Sequence, residues 1–226
     1  MKPSKKKLSV GVLASGSGTD LQSIIDASKQ HIIDAEVVVV ISDKRDAGAL
    51  TRAKTHYIPG FFVNPKGKDC AAHEDEIDAI LHKHHVELVV GAGYMRLLSS
   101  SFVKKWHHKL INIHPALLPS FKGTNGQWDA LHYGVKISGC TTHYMDTEMD
   151  HGPIILQAAV KVHPDDDRDA LAARVLAVEH QILPRTVQLF AQNRLLVEGR
   201  KVIILPGDSW KKKHKVLPDV LYSEGY

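Results

Sequence analysis

Hydrophobic and polar positions along this chain switch repeatedly between two periods. Short apolar runs at 8–14, 36–42, 57–63, 86–92 and 110–114 read as strands, and the run Val37-Val38-Val39-Val40-Ile41 is continuous enough for a strand buried on both faces. Between these runs the apolar residues recur at helical spacing. Leu21, Ile24 and Ile25 open one helix, 47–55 makes a second, and Ile77, Ile80 and Leu81 mark the inner side of 73–84. A short helix covers 100–106. Strand and helix in alternation predict an α/β fold built on a Rossmann-like, open, twisted and mostly parallel sheet.

The second half has a different rhythm. After a helix at 127–133 come two strands, 135–145 and 153–163, read as an antiparallel pair. A long helix over 165–190 puts Leu171, Val175, Val178, Ile182 and Leu189 on one side, and 194–197 with 202–205 makes a small hairpin. Periodicity is then lost. The expected organisation is a single domain over 1–205 and a C-terminal surface tail over 206–226.

Within this pattern one stretch stands out, Leu110-Ile111-Asn112-Ile113-His114-Pro115-Ala116-Leu117-Leu118-Pro119. Residues two apart on a strand face the same way, so Asn112 and His114 share a side. A core histidine with a hydrogen-bond partner is the plain explanation. The functional one is a pair of donors at the carboxyl end of a central strand, where open α/β sheets place their ligands.

Composition narrows the class. The 226 residues suffice for one large domain with a full core. The net charge of +4 is a mild excess, with its clearest runs at Lys5-Lys6-Lys7 and Lys211-Lys212-Lys213. It forms no basic stripe of the kind that argues for nucleic acid. Two cysteines, Cys70 and Cys140, lack paired spacing and suit a reduced, cytoplasmic protein. No apolar window approaches a membrane span, and the basic start is not followed by the core of a signal peptide.

The first strand runs into Ser15-Gly16-Ser17-Gly18-Thr19-Asp20 and then a helix. Thr19 with Gln22 forms a capping-box pattern. A glycine-rich turn opening a helix can hold a phosphate or another small anion on free backbone N–H groups, or it can be no more than a tight turn. Leu21 stands where a dinucleotide fingerprint needs its third glycine, so Asp43, after the second strand, reads as a loop acid rather than a ribose ligand. His82-Lys83-His84-His85 lacks joining acids or cysteines and reads as a solvated helix end, not a metal site.

Taken together, Asn112-x-His114-Pro115-x-Leu117-Leu118-Pro119 and the later Asp150-x-Gly152-Pro153 resemble the folate-dependent formyltransferases. The Gly-rich opening, Gly93-Tyr94-Met95-Arg96-Leu97-Leu98 and Glu179-His180 make the chain similar to the glycinamide ribonucleotide formyltransferase family. The likeness runs from about residue 8 to 204. It implies the formyltransferase fold, 10-formyltetrahydrofolate as co-substrate, and no metal. It implies Asn112, His114 and Asp150 as the catalytic trio. Gly18, Thr19 and Asp20 fall where that family binds the substrate phosphate, and Glu179 where it holds the substrate amine or amide. Arg96, Leu97, Leu98, Met145, Asp146, Thr147, Glu148 and Met149 fall on the pterin pocket, with Arg96 alternatively facing the folate glutamate.

Two positions depart from the family pattern. Asp20 stands where Asn is usual, and no arginine occurs over Lys68-Asp69-Cys70-Ala71-Ala72, although Lys66 or Lys68 could serve. The reaction so implied is direct formyl transfer to an amine through a tetrahedral oxyanion, with phosphoribosylglycinamide as acceptor in purine biosynthesis. Implied partners are small molecules alone, with no nucleic acid and no membrane, in a monomer or homodimer. The alternatives are a formyltetrahydrofolate deformylase, a formyltransferase for another amine such as a charged tRNA or an amino sugar, and a nucleotide-binding module without catalysis.

Overall fold

The structure, a computed structural model, describes residues 6–207 and 217–226. The run Lys211-Lys212-Lys213, Lys5 and the middle of the expected tail lie outside the described residues. The chain divides into two compact units, 1–111 and 112–226. The division falls inside the strand that carries Asn112 and His114.

The first unit is the alternating half. Strands β1 (Leu8–Leu13), β2 (Ala35–Ser42), β3 (Gly60–Phe62) and β4 (Leu88–Gly91) pair in parallel in the order β3-β2-β1-β4. Helices α1 (Thr19–Lys29), α2 (Gly48–Thr55), α3 (Cys70–Lys83) and α4 (Ser100–Lys105) connect them. Val10, Val12, Val39, Val40, Val89 and Val90 are fully buried. Each such side chain contributes about 1.5–3 kcal/mol by leaving water. Helix α3 starts earlier than its apolar spacing suggested. Asp69 accepts from the Ala72 N–H at 2.8 Å and so caps a first turn that the hydrophobic pattern does not register.

The capping box expected at Thr19 and Gln22 is not formed. Helix α1 begins after Gly18 in a left-handed conformation, φ 73°, with no side-chain cap. Gln22 turns along the helix instead and donates to Asp26 at 2.8 Å. The residue at the N-cap position is thus a glycine, with no side chain to cap the first turn of α1.

Strand β5 (Leu110–His114) carries the boundary between the units, and the rest of the second unit is the antiparallel half. Helix α5 (Gly126–Tyr133) precedes β6 (Ile137–Tyr144) and β7 (Ile154–Lys161), which pair antiparallel as expected. The hairpin forms from β8 (Leu195–Glu198) and β9 (Lys201–Ile204). Helix α6 (Arg168–Ala191) packs on β6 and β7, with Leu171, Val175, Val178, Ile182 and Leu189 all buried. Parallel pairing in the first unit and antiparallel pairing in the second are the mixed α/β pattern that the periodicity predicts.

The end of the chain corrects one expectation. Residues 217–226 are not a loose surface tail. Strand β10 (Leu221–Tyr222) pairs antiparallel with β7, and Tyr226 is buried. Tyr222 and Tyr226 stack with ring centroids 3.9 Å apart, and both hydroxyls donate to Gln181 Oε1 on α6. Arg185 donates to the Gly225 carbonyl at 2.7 Å. A two-residue strand and isolated tyrosines carry no period, so nothing in the local pattern marks this docking.

Candidate active site

Strand β5 ends in a turn that its neighbours hold. Thr141 on β6 donates to the Ala116 carbonyl at 2.7 Å and accepts from the Leu118 N–H at 3.1 Å. That grip fixes where the strand stops and therefore where Asn112 and His114 stand.

The predicted trio comes together in the second unit. His114 is 3% exposed, and its Nε2 lies 2.8 Å from the Phe121 carbonyl. A carbonyl can only accept, so Nε2 carries the hydrogen. Its Nδ1 lies 3.4 Å from Asp150 Oδ2. Both ring nitrogens thus face acceptors, and the charged imidazolium is the form that satisfies both.

Asp150 reaches this position through backbone geometry. Its φ is +49°, and its Oδ2 accepts from the Gly123 N–H at 2.8 Å. Two residues on, a Cβ at Gly152 would lie 1.9 Å from the Tyr144 carbonyl oxygen. Only glycine lets loop 146–152 close against the end of β6, which is the physical reason for the Asp-x-Gly spacing.

Asn112 has a partner that the sequence did not single out. Its Nδ2 lies 3.2 Å from His143 Nε2, and His143 Nδ1 lies 2.8 Å from the Tyr144 carbonyl. The carbonyl fixes the hydrogen on Nδ1, so Nε2 must accept from the Asn112 amide. Burial pushes the His143 pKa down, which keeps the ring neutral as this arrangement requires. One amide hydrogen of Asn112 is so committed, and the other remains for a ligand oxygen. His143 Nε2 also stands 3.8 Å from Asp150 Oδ1. A histidine on a strand of small and β-branched residues, two after Thr141, was the only available signal. Phe121 and Gly123 act through backbone groups and had none.

The other second-unit residues divide by exposure. Glu179 on α6 is buried, and Met145 and Asp146 are half-buried. Thr147, Glu148 and Met149 are exposed. Within the loop, Asp146 Oδ1 accepts from the Glu148 N–H at 2.9 Å.

In the first unit the Gly-rich turn is held from several sides. Ser15 Oγ donates to Asp43 Oδ1 at 2.6 Å and accepts from the Met95 N–H at 2.9 Å. Asp43 is thus spent on the turn itself. Arg52 donates to the Ser17 carbonyl at 2.9 Å. A Cβ at Gly18 would lie 2.6 Å from the Ala49 Cα, so the turn packs directly on α2. Thr19 and Asp20 open α1, and burial pushes the Asp20 carboxyl up to about 6. Desolvation here outweighs the helix dipole, which by itself favours the anion. Arg96 and Leu98 are half-buried, whereas Leu97 is 72% exposed. Lys68 pairs with Glu76. Of the clustered histidines, His82 contacts Asp78, and its side chain is largely exposed. Among the described residues, no three or more His, Cys, Asp or Glu gather closely enough to hold a metal ion.

The sequence pattern of the formyl transferase family matches residues 8–187. The chain belongs to the formyl transferase family. Among members of that family, the chain is 38% identical over 178 residues to phosphoribosylglycinamide formyltransferase of Bacillus subtilis, covering 78% of this chain and 91% of that one. The solved glycinamide ribonucleotide transformylase 1 of Symbiobacterium toebii superposes with a TM-score of 0.87 at 42% identity, over 89% of this chain and 95% of that one. The chain is also 43% identical over 198 residues to the trifunctional purine biosynthetic protein adenosine-3 of Bos taurus. That match takes 86% of this chain, which spans about a fifth of the trifunctional protein's length.

Proposed function

We propose that this chain transfers the formyl group of 10-formyltetrahydrofolate to the amine of phosphoribosylglycinamide. The observation that carries the reading is the convergence of Asn112, His114 and Asp150 with donors and acceptors in fixed roles. As the amine nitrogen bonds to the formyl carbon, negative charge builds on the formyl oxygen. The free Asn112 amide hydrogen is placed to stabilise that charge. The second donor is the His114 Nε2–H, which exchanges the Phe121 carbonyl for the substrate oxygen. The bond from carbon to the folate nitrogen then breaks. The amine gives up one proton and the leaving nitrogen gains one, with Asp150 and His114 as the nearest groups able to pass it.

The Gly18–Thr19–Asp20 turn is assigned the substrate phosphate, since α1 opens at a glycine that brings no side-chain cap to its N-terminus. Glu179 is assigned the substrate amine or amide. Arg96, Leu97 and Leu98 and the loop from Met145 to Met149 are assigned the folate, and the exposed Leu97 and Met149 offer apolar surface to a fused ring system. Residues 1–205 are read as one catalytic domain. We place the protein in the cytoplasm as a monomer or homodimer, acting on small molecules. Among the described residues, no helix is long and apolar enough to cross a membrane.

The test follows folate product from a 10-formyl folate with and without phosphoribosylglycinamide. Product that needs the amine supports transfer. Equal product without it makes the enzyme a deformylase, and turnover only with a different amine reassigns the acceptor. His114→Ala is expected to keep folate binding and lower turnover by about a hundredfold or more. Turnover near the parent's in that variant removes His114 from the chemistry.

A further inference from the structure

The loop that carries Asp150 is gripped from outside by a side chain in none of the motifs above. Arg200 lies in the two-residue turn Gly199-Arg200 between β8 and β9. Its Nη2 donates to the His151 carbonyl at 2.6 Å, and its Nη1 lies 2.9 Å from His151 Nε2 and 3.3 Å from His151 Nδ1. The two guanidinium nitrogens therefore hold the backbone and the ring of one residue, the one next to Asp150. The other side of the ring is taken as well, since His151 Nδ1 lies 2.7 Å from Asp146 Oδ2.

The guanidinium is planar and always charged, and it packs against the ring while its second nitrogen holds the backbone. The chain Arg200–His151–Asp146 ties the hairpin to both ends of the loop, at Asp146 and at His151. We propose that Arg200, acting through His151, is a positioning residue for formyl transfer that fixes the angle at which Asp150 meets His114. The inference rests on the assignment of Asp150 above.

The loop needs such a tether. Asp150 itself is held in a left-handed conformation, which an aspartate adopts at some cost. Its carboxylate is anchored to the backbone at the Gly123 N–H. A small swing of the loop separates Asp150 Oδ2 from His114 Nδ1, and a misplacement of about 1 Å costs up to about a hundredfold in rate.

The experiment compares the parent with Arg200→Met, Arg200→Lys, His151→Ala and the Arg200→Met/His151→Ala double variant. At pH 8 Arg200→Met is expected to lower kcat about tenfold, with KM for the amine substrate changed less than about twofold. Arg200→Lys, which keeps the charge but not the fork, should fall between. The double variant should lose no more than the worse single one. The 15N signals of the His151 ring should shift between the parent and Arg200→Met, reporting loss of the guanidinium contact. If Arg200→Met proves unstable, His151→Ala carries the kinetic comparison, since that ring is partly exposed.

Parent activity that His114→Ala abolishes, together with unchanged kcat in Arg200→Met and His151→Ala, overturns the tether alone. Additive losses in the double variant overturn it too. A parent that transfers no formyl group overturns the functional reading instead, and the His151 ring signals still report whether the contact exists.

Discussion

His114 has both nitrogens committed, one to the Phe121 carbonyl and one toward Asp150, so any ligand oxygen must displace a protein partner. Asp20 is the second residue with a legible consequence. Its carboxyl is pushed up to about 6 from 3.8 by burial. Between those values the folded chain holds a proton that the unfolded chain has already released. Stability from this group is therefore full below about pH 4 and is lost as pH rises through about 6. Asp20→Asn removes the titration. Its melting temperature should match the parent's at pH 4 and exceed it at pH 7. If the turn holds a phosphate, the variant should also bind the phosphorylated substrate more tightly at pH 7, with the gap closing by about pH 5. A parent and variant whose melting curves stay parallel from pH 4 to pH 7 would show that Asp20 titrates normally.

At the scale of elements, the Gly-rich turn and the Asp150 loop depend on backbone shapes that side chains obstruct. Gly18 combines a φ of 73° with a site where a Cβ would meet the Ala49 backbone. Gly18→Ala is expected to destabilise the protein by about 1–3 kcal/mol, measurable by urea unfolding, and to weaken phosphate-dependent binding as well. A stability change within about 0.5 kcal/mol would show that the turn can rearrange freely. The caps at Asp69 and Asp167 are ordinary by comparison, each accepting one first-turn N–H. The absence of such a cap on α1 is the contrast that makes its N-terminus suited to an anion.

On the scale of the whole molecule, the C-terminal residues do more than cover surface. Gln181 Oε1 receives two tyrosine hydroxyls from residues 222 and 226. Gln181→Leu leaves both without that acceptor and should cost about 1–3 kcal/mol, read from the unfolding midpoint. Ligand-induced melting separates functional classes at the same scale. A formyl folate analogue with a ribosyl phosphate, each at 100 times its Kd, should stabilise the fold by about 2.7 kcal/mol per independent site. NAD should do nothing. Stabilisation by NAD alone would favour the nucleotide-binding module that the missing third glycine argues against.

The sequence by itself determined the alternation of parallel strands and helices in the first unit and the antiparallel pair and hairpin in the second, because period, proline and glycine act over a few residues. Asn112, His114 and Asp150 were singled out through the resemblance carried by the Asn-x-His-Pro and Asp-x-Gly motifs, and the fold brings the three side chains together. Only the tertiary structure decided that His143 orients Asn112, that backbone groups of Phe121 and Gly123 complete the cluster, that Gln22 abandons its capping role, and that residues 221–226 return to β7 and α6. Each of these joins residues far apart in the chain, or uses a backbone atom that every residue possesses. Such contacts leave no period and no motif, so they exist only once the chain has folded.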